Sequence, residues 1–170
     1  QQVLPQLNHH GVRYVAMDGF YTKTKVFQAF DQWEGLDIIG KLRCDADMRY
    51  LYDEAERGPA LTHRCYDGKV RYDDSTNGWR RWQQQGYTDS GAIIYTRILN
   101  AKKFKRNLKV VACVDQQRNK HILLFSTDLT LDAAQIIQYY SARFQIEFLF
   151  RDAKQFTGLE HSQTRQKEKL

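Results

Sequence analysis

The sequence predicts an α/β fold interrupted by a β-rich antiparallel segment, and three patterns predict it. A strand–helix–strand order occupies the first 43 residues, a set of short β-type runs fills 44–126, and an unbroken helical stretch covers 131–155. Residues 1–8 read as the end of a helix, closed by Gly11 in the position that commonly follows a helix terminus. Val12, Tyr14, Val15, Ala16 and Met17 then form a buried strand with Asp18 at its C-terminal end. From Thr22 to Glu34, Val26, Phe27, Phe30 and Trp33 recur at helical spacing, with Thr22 or Thr24 as cap and Gly35 as stop. Leu36, Ile38, Ile39 and Leu42 give a second buried strand. A strand–helix–strand unit of this kind implies a parallel pair.

Beyond Arg43 the pattern changes. Asp67-Gly68 between Cys65-Tyr66 and Val70–Tyr72 reads as a two-residue hairpin. Ala92–Leu99, Leu108–Val114 and His121–Phe125 read as strands, the last two joined by the polar turn Asp115–Lys120. The helix over 131–155 has Thr130 as its expected N-cap and Gly158 just past its end.

Composition limits the classes of function. The chain has 170 residues, 42% of them apolar and 27% charged, enough for a real core. Its longest apolar run is Val110–Val114, far short of the roughly 20 residues a membrane helix needs. No secretory leader opens the sequence, and three widely spaced cysteines suit a reduced, cytoplasmic chain. Gln1 stands where an initiator Met is expected, which points to a piece of a longer protein. The net charge of +6 is concentrated: residues 61–125 hold 13 basic and 5 acidic side chains, while the flanks are neutral or slightly acidic. A basic segment of this kind suits contact with a polyanion, and equally a solvated face.

Tyr140, Arg143, Glu147 and Lys154 stand at offsets of 0, 3, 7 and 14 on the last helix. At about 100° per residue they fall within one stripe about 60° wide. A carboxylate between two cations suits a nuclease helix, the carboxylate binding a divalent metal and the cations holding phosphates. The plainer alternative is a surface network in which Glu147 pairs with Arg143 and Arg151.

The stretch YSARFQIEFLFRDAK carries Tyr-x2-Arg-x3-Glu-x6-Lys with every spacing intact, and in this it resembles the DDE-type transposases of bacterial insertion sequences. VAMDGFYTK around Asp18, IIGKLRCDA around Arg43, LLFSTDLTL and FTGLEHSQTR are also similar to that family. The resemblance implies an RNase H-like core formed by 1–43 and 127–170, with 44–126 as a basic β-rich insertion. It makes Asp18 and Glu147 catalytic metal ligands for two Mg²⁺ (or Mn²⁺) ions. Tyr140, Arg143 and Lys154 become contacts to DNA, in a homodimer acting on terminal inverted repeats and target DNA.

In that family Asp18 is the second catalytic aspartate, so the first is expected upstream of Gln1 and the 170-residue chain is expected to cut no DNA alone. Asp45 and Asp47 read as turn formers or arginine partners rather than as substitutes. Basic DNA contacts are also expected from Arg80, Arg81, Lys102, Lys103 and Arg106. Trp79 and Trp82, flanking Arg80-Arg81, suit stacking on a displaced base, though core packing is the commoner role of Trp. Cys44, His63 and Cys65 match no zinc spacing. Two rival readings are a DNA-binding fragment without catalysis and a cellular nuclease of the same fold.

Overall fold

A computed structural model describes residues 4–52, 65–72 and 78–157. It divides into two compact units, Gln1–Tyr140 and Ser141–Leu170. In the first unit, helix α1 (Leu4–His9) ends at Gly11, whose φ of +69° lets the chain reverse with Val12 N donating to Leu7 O. Strand β1 (Tyr14–Met17) follows, then a 3-10 turn (Gly19–Tyr21), helix α2 (Thr24–Phe30) and strand β2 (Asp37–Leu42). β1 and β2 are parallel, with Tyr14 opposite Asp37 and Met17 opposite Gly40, as the strand–helix–strand order implies.

α2 is shorter than the periodicity of Thr22–Glu34 predicts, and neither threonine caps it. Its N-cap is Lys23, which makes no side-chain capping bond. The Thr22 hydroxyl is occupied instead: it is buried and donates to Lys41 O at 3.3 Å, pinning the turn onto the end of β2.

The remaining strands are antiparallel: β3 (Met48–Leu51), β4 (Tyr66–Lys69), β5 (Gln83–Tyr87), β6 (Ile93–Ala101), β7 (Arg106–Asp115) and β8 (Lys120–Ser126). They join the parallel pair in one eight-stranded sheet, ordered β1-β2-β8-β7-β6-β3-β4, with β5 also on β6. The basic segment is therefore hydrogen-bonded into the same sheet as β1 and β2, through β8. The turn Asp115–Lys120 lies where the sequence predicts, with Asp115 Oδ1 accepting from Arg118 N at 3.1 Å. The hairpin expected at Asp67-Gly68 does not form. β4 runs straight through it, with Gly68 at φ +86°, because the residues that follow are anchored to β3. Val70, itself buried, donates from its backbone to Met48 O, and Tyr72 Oη donates to Ala46 O.

Both faces of the sheet are covered. Ile38, Val110, Ala112, Leu123 and Phe125 point to one face with Phe27 and Phe30 of α2; the intervening Ile39, Val111 and Leu124 point to the other. That second face receives the start of helix α3 (Ala133–Thr157) through Ala133, Ile136 and Tyr140. Double-sided burial accounts for the unbroken apolar runs of β7 and β8. Asp132, not Thr130, caps α3: its Oδ2 accepts from Ala134 N at 2.9 Å. Thr130 is committed to Asp128, donating from both its backbone and its hydroxyl.

Gly40 sits where β1, β2 and β8 meet. A Cβ there would lie 2.8 Å from the Phe125 ring and 3.4 Å from Met17 O. Gly40→Ala is expected to cost about 1–3 kcal/mol through overpacking, read as a lower urea midpoint with unchanged slope.

The second unit contains the C-terminal part of α3. Phe148, Leu149, Phe150 and Phe156 are exposed along it. Among the described residues, no helix is long and apolar enough to cross a membrane.

Candidate active site and nucleic-acid interface

Asp18 ends β1 at the carboxyl edge of the parallel pair, where open α/β sheets place their ligand sites. Its position is fixed locally. The side chain caps the 3-10 turn, with Oδ1 accepting from Phe20 N at 3.2 Å, and its carbonyl accepts from Tyr21 N at 2.9 Å. Asp18 also lines a cavity of about 760 Å³ bordered by Lys41, Arg43, Lys103 and His121, with Leu42, Met48, Ile122 and Leu123 among its apolar lining. The groove was not legible in the sequence, because β8, β7 and β6 separate Lys41 from Lys103 in the sheet order.

The acidic residues of this groove are largely neutralised. Arg43 donates twice to Asp45, at 2.9 and 3.1 Å, and that bond holds the Asp45 carboxyl below its ordinary range. Asp47 lies 3.7 Å from Lys69 and 3.9 Å from Lys102. Both aspartates thus serve as partners of basic side chains, as the sequence suggests. His121 Nε2 lies 3.0 Å from Cys44 O and its ring stacks on Tyr72.

On the second unit, Arg143 Nη1 donates to Glu147 Oε1 at 2.5 Å, the i to i+4 pair that the helical spacing allows. The Arg151 guanidinium lies over the Phe148 ring at 4.7 Å. Glu147 and Lys154 share a shallow recess with Phe150, Arg151 and Gln155. Arg143, Glu147 and Lys154 therefore stand on one continuous helix, as predicted.

Three expected DNA contacts are corrected by burial. Trp79 and Trp82 are each 6% exposed, T-shaped to one another at 5.3 Å, and Trp82 Nε1 donates to Tyr50 Oη. Their rings belong to the core and offer no face to a base. Tyr140 is 8% exposed and packs with Ile39, Leu124 and Ile136, so its ring too is a packing element here.

Of the basic candidates, Arg81 binds the Asp67 carboxylate and covers the Tyr50 ring, and Arg106 binds Asp31. Lys102 is shared with Asp47. Arg80 and Lys103 are exposed. His63 lies outside the described residues, as do Gly158 and the GLEHSQTR segment. Cys44 and Cys65 are free and exposed.

A carboxylate that sequence reasoning passed over is Asp128, which ties the start of β1 to the approach to α3. Its Oδ2 accepts from Tyr14 Oη at 2.8 Å and from Arg13 Nη2 at 2.9 Å, while Oδ1 accepts from Thr130. Burial pushes the Asp128 carboxyl up, but the bonds from Thr130 and Tyr14 and the Arg13 charge outweigh it and hold the pKa at about 2. Burial and the Asp128 bond raise Tyr14 to about 12. The folded pKa of Asp128 is depressed, so its contribution to stability is present above about pH 4 and fades as pH falls toward 2. Asp128→Asn is accordingly expected to lower Tm at pH 7, with the gap to the wild type closing over that acid window.

The chain matches the family model described as "Transposase DDE domain" over residues 1–170. The fold and the placement of Asp18 and Glu147 suit a phosphoryl-transfer protein of mixed α/β architecture. The chain belongs to the DDE-domain transposases, a family whose function is DNA transposition and which generally uses divalent metals. No curated protein and no solved structure matches it.

Carboxylate oxygens are the hard donors that Mg²⁺ prefers, so Asp18 and Glu147 fit the cation by chemistry. Among the described residues, no group of three or more His, Cys, Asp or Glu side chains is gathered to hold an ion.

Proposed function

We propose that this chain is the part of an insertion-sequence transposase that carries Asp18 and Glu147 as catalytic carboxylates on an RNase H-like core. In this reading residues 44–126 are a basic insertion, and the substrate is DNA at terminal inverted repeats and at the target, handled by two copies of the protein. The observation that carries it is the family match over residues 1–170. The four-residue spacing on α3 supports it.

Asp18 and Glu147 would hold Mg²⁺ or Mn²⁺, which when bound activates water and stabilises the leaving 3′-oxygen of a phosphodiester. The chain's own residues supply placement. The Phe20 amide fixes the Asp18 carboxylate at the strand end, and Arg143 fixes that of Glu147. Lys154 and the exposed Arg80 and Lys103 are cations available to backbone phosphates. Contacts of this kind position DNA without reading its sequence.

The test is a donor plasmid carrying a marker between terminal inverted repeats, supplied in cells with the gene that encodes this chain. Excision and reinsertion of the marker are expected. Their absence, with the protein expressed and folded, would overturn the reading.

A further inference from the structure

The geometry points to the groove beside Asp18 as a binding site for single-stranded rather than duplex DNA, with its phosphates held by Lys41 and Lys103. The inference rests on the transposase reading and deepens it. Lys41 lies on β2 and Lys103 on the turn between β6 and β7. Both are exposed, and neither has an acidic partner among the described residues. Other charges of the groove are paired off, Arg43 with Asp45, and Asp47 with Lys69 and Lys102. What remains beside Asp18 is a pair of uncompensated ammonium groups, and these suit an anionic ligand.

Between them the lining is apolar, including Met48, Ile122 and Leu123. Phe20, 70% exposed and next but one to Asp18, also lines the groove. A duplex hides its base faces in the stack and presents phosphates and groove edges, so it has little to bury against such a surface. An unpaired strand offers both phosphates and base faces, the combination that single-strand sites use. The sheet order fixes the scale. β2 and β6 are separated by β8 and β7, three strand intervals or about 14 Å. The two lysines therefore suit phosphates of different nucleotides, with an intervening base over the apolar lining. A cavity of about 760 Å³ has room for this.

The test measures fluorescence anisotropy of the whole chain with a labelled 20-mer, offered as a single strand and as a blunt duplex of the same sequence. The single strand is expected to bind more tightly. Lys41→Gln and Lys103→Gln should each weaken it about tenfold, and each should reduce the slope of log affinity against log salt by about 0.7. Lys120→Gln, in the β7–β8 turn away from the groove lining, should change neither. Cys44 lines the groove and Cys65 does not, so the single strand should slow alkylation of Cys44 while leaving Cys65 unaffected. Equal binding of both DNA forms, or lysine variants that bind like the wild type, would overturn the groove assignment and leave the transposase reading standing. Binding of neither form by the wild type would overturn the assignment and count against the transposase reading as well.

Discussion

Introduced into the gene that encodes this chain, Asp18→Asn and Glu147→Gln are each expected to lower transposition more than about 100-fold. Losing a residue that merely supports a metal ligand typically costs 10–100-fold, so losing the ligand's own charge should exceed that. The two substitutions are chosen because they preserve the local hydrogen bonds. Asn at position 18 keeps an oxygen that accepts from Phe20 N, so the turn after β1 stays closed. Gln at position 147 keeps an acceptor for Arg143 Nη1. What each removes is the negative charge that a hard divalent cation requires. Fold and DNA affinity should therefore be retained while transposition is lost, and unchanged circular dichroism and anisotropy titrations check this. Transposition within a few-fold of the wild type, with the protein folded, would remove the substituted residue from the catalytic set.

What the sequence made legible follows from the range of the interactions involved. The parallel pair β1–β2 and the long helix α3 were readable because each is specified by local periodicity: a β-branched run ending at Asp18, an apolar spacing through Phe27 and Phe30, and 25 helical residues without Gly or Pro. Caps and turns were read less well. Thr22 and Thr130 are good capping residues by type, yet both hydroxyls are taken by non-capping partners, Lys41 O and Asp128. Asp67-Gly68 has hairpin chemistry, but Val70 and Tyr72 gain more by anchoring to the β3 region than by folding back. The candidate site divides in the same way. Arg143, Glu147 and Lys154 share one helix, and their relation was a matter of counting. Lys41 and Lys103 meet at one groove only through the order of β2, β8, β7 and β6, which no local pattern encodes. Trp79 and Trp82 misled because flanking arginines say nothing about which way an indole points. Both rings turn inward, leaving the Arg81 guanidinium to cover Tyr50.

Phe125→Ala is expected to destabilise the fold by about 3–5 kcal/mol, the cost of emptying a large aromatic site in a core. The ring has no exposure and stacks on Phe27 at 5.6 Å, which in turn stacks on Phe104 at 4.1 Å. Loss of the ring therefore removes one side of a three-ring column joining α2, β8 and the β6–β7 turn. Against a typical net stability of about 5–15 kcal/mol, the change is a large fraction of the whole. Gly40 makes the prediction sharper. Phe125 lies opposite it across the β2–β8 ladder and fills the space a Cβ at position 40 would enter. Gly40→Ala alone meets the ring; in the Phe125→Ala background the same methyl enters vacated volume. The two substitutions should then couple, with the double variant more stable than the sum of the single losses by about 0.5–3 kcal/mol. Urea denaturation of the four proteins measures that coupling. Strict additivity would mean that the close approach of Gly40 and Phe125 does not set the spacing of β2 and β8, the strands on which the Asp18 end of the sheet is built.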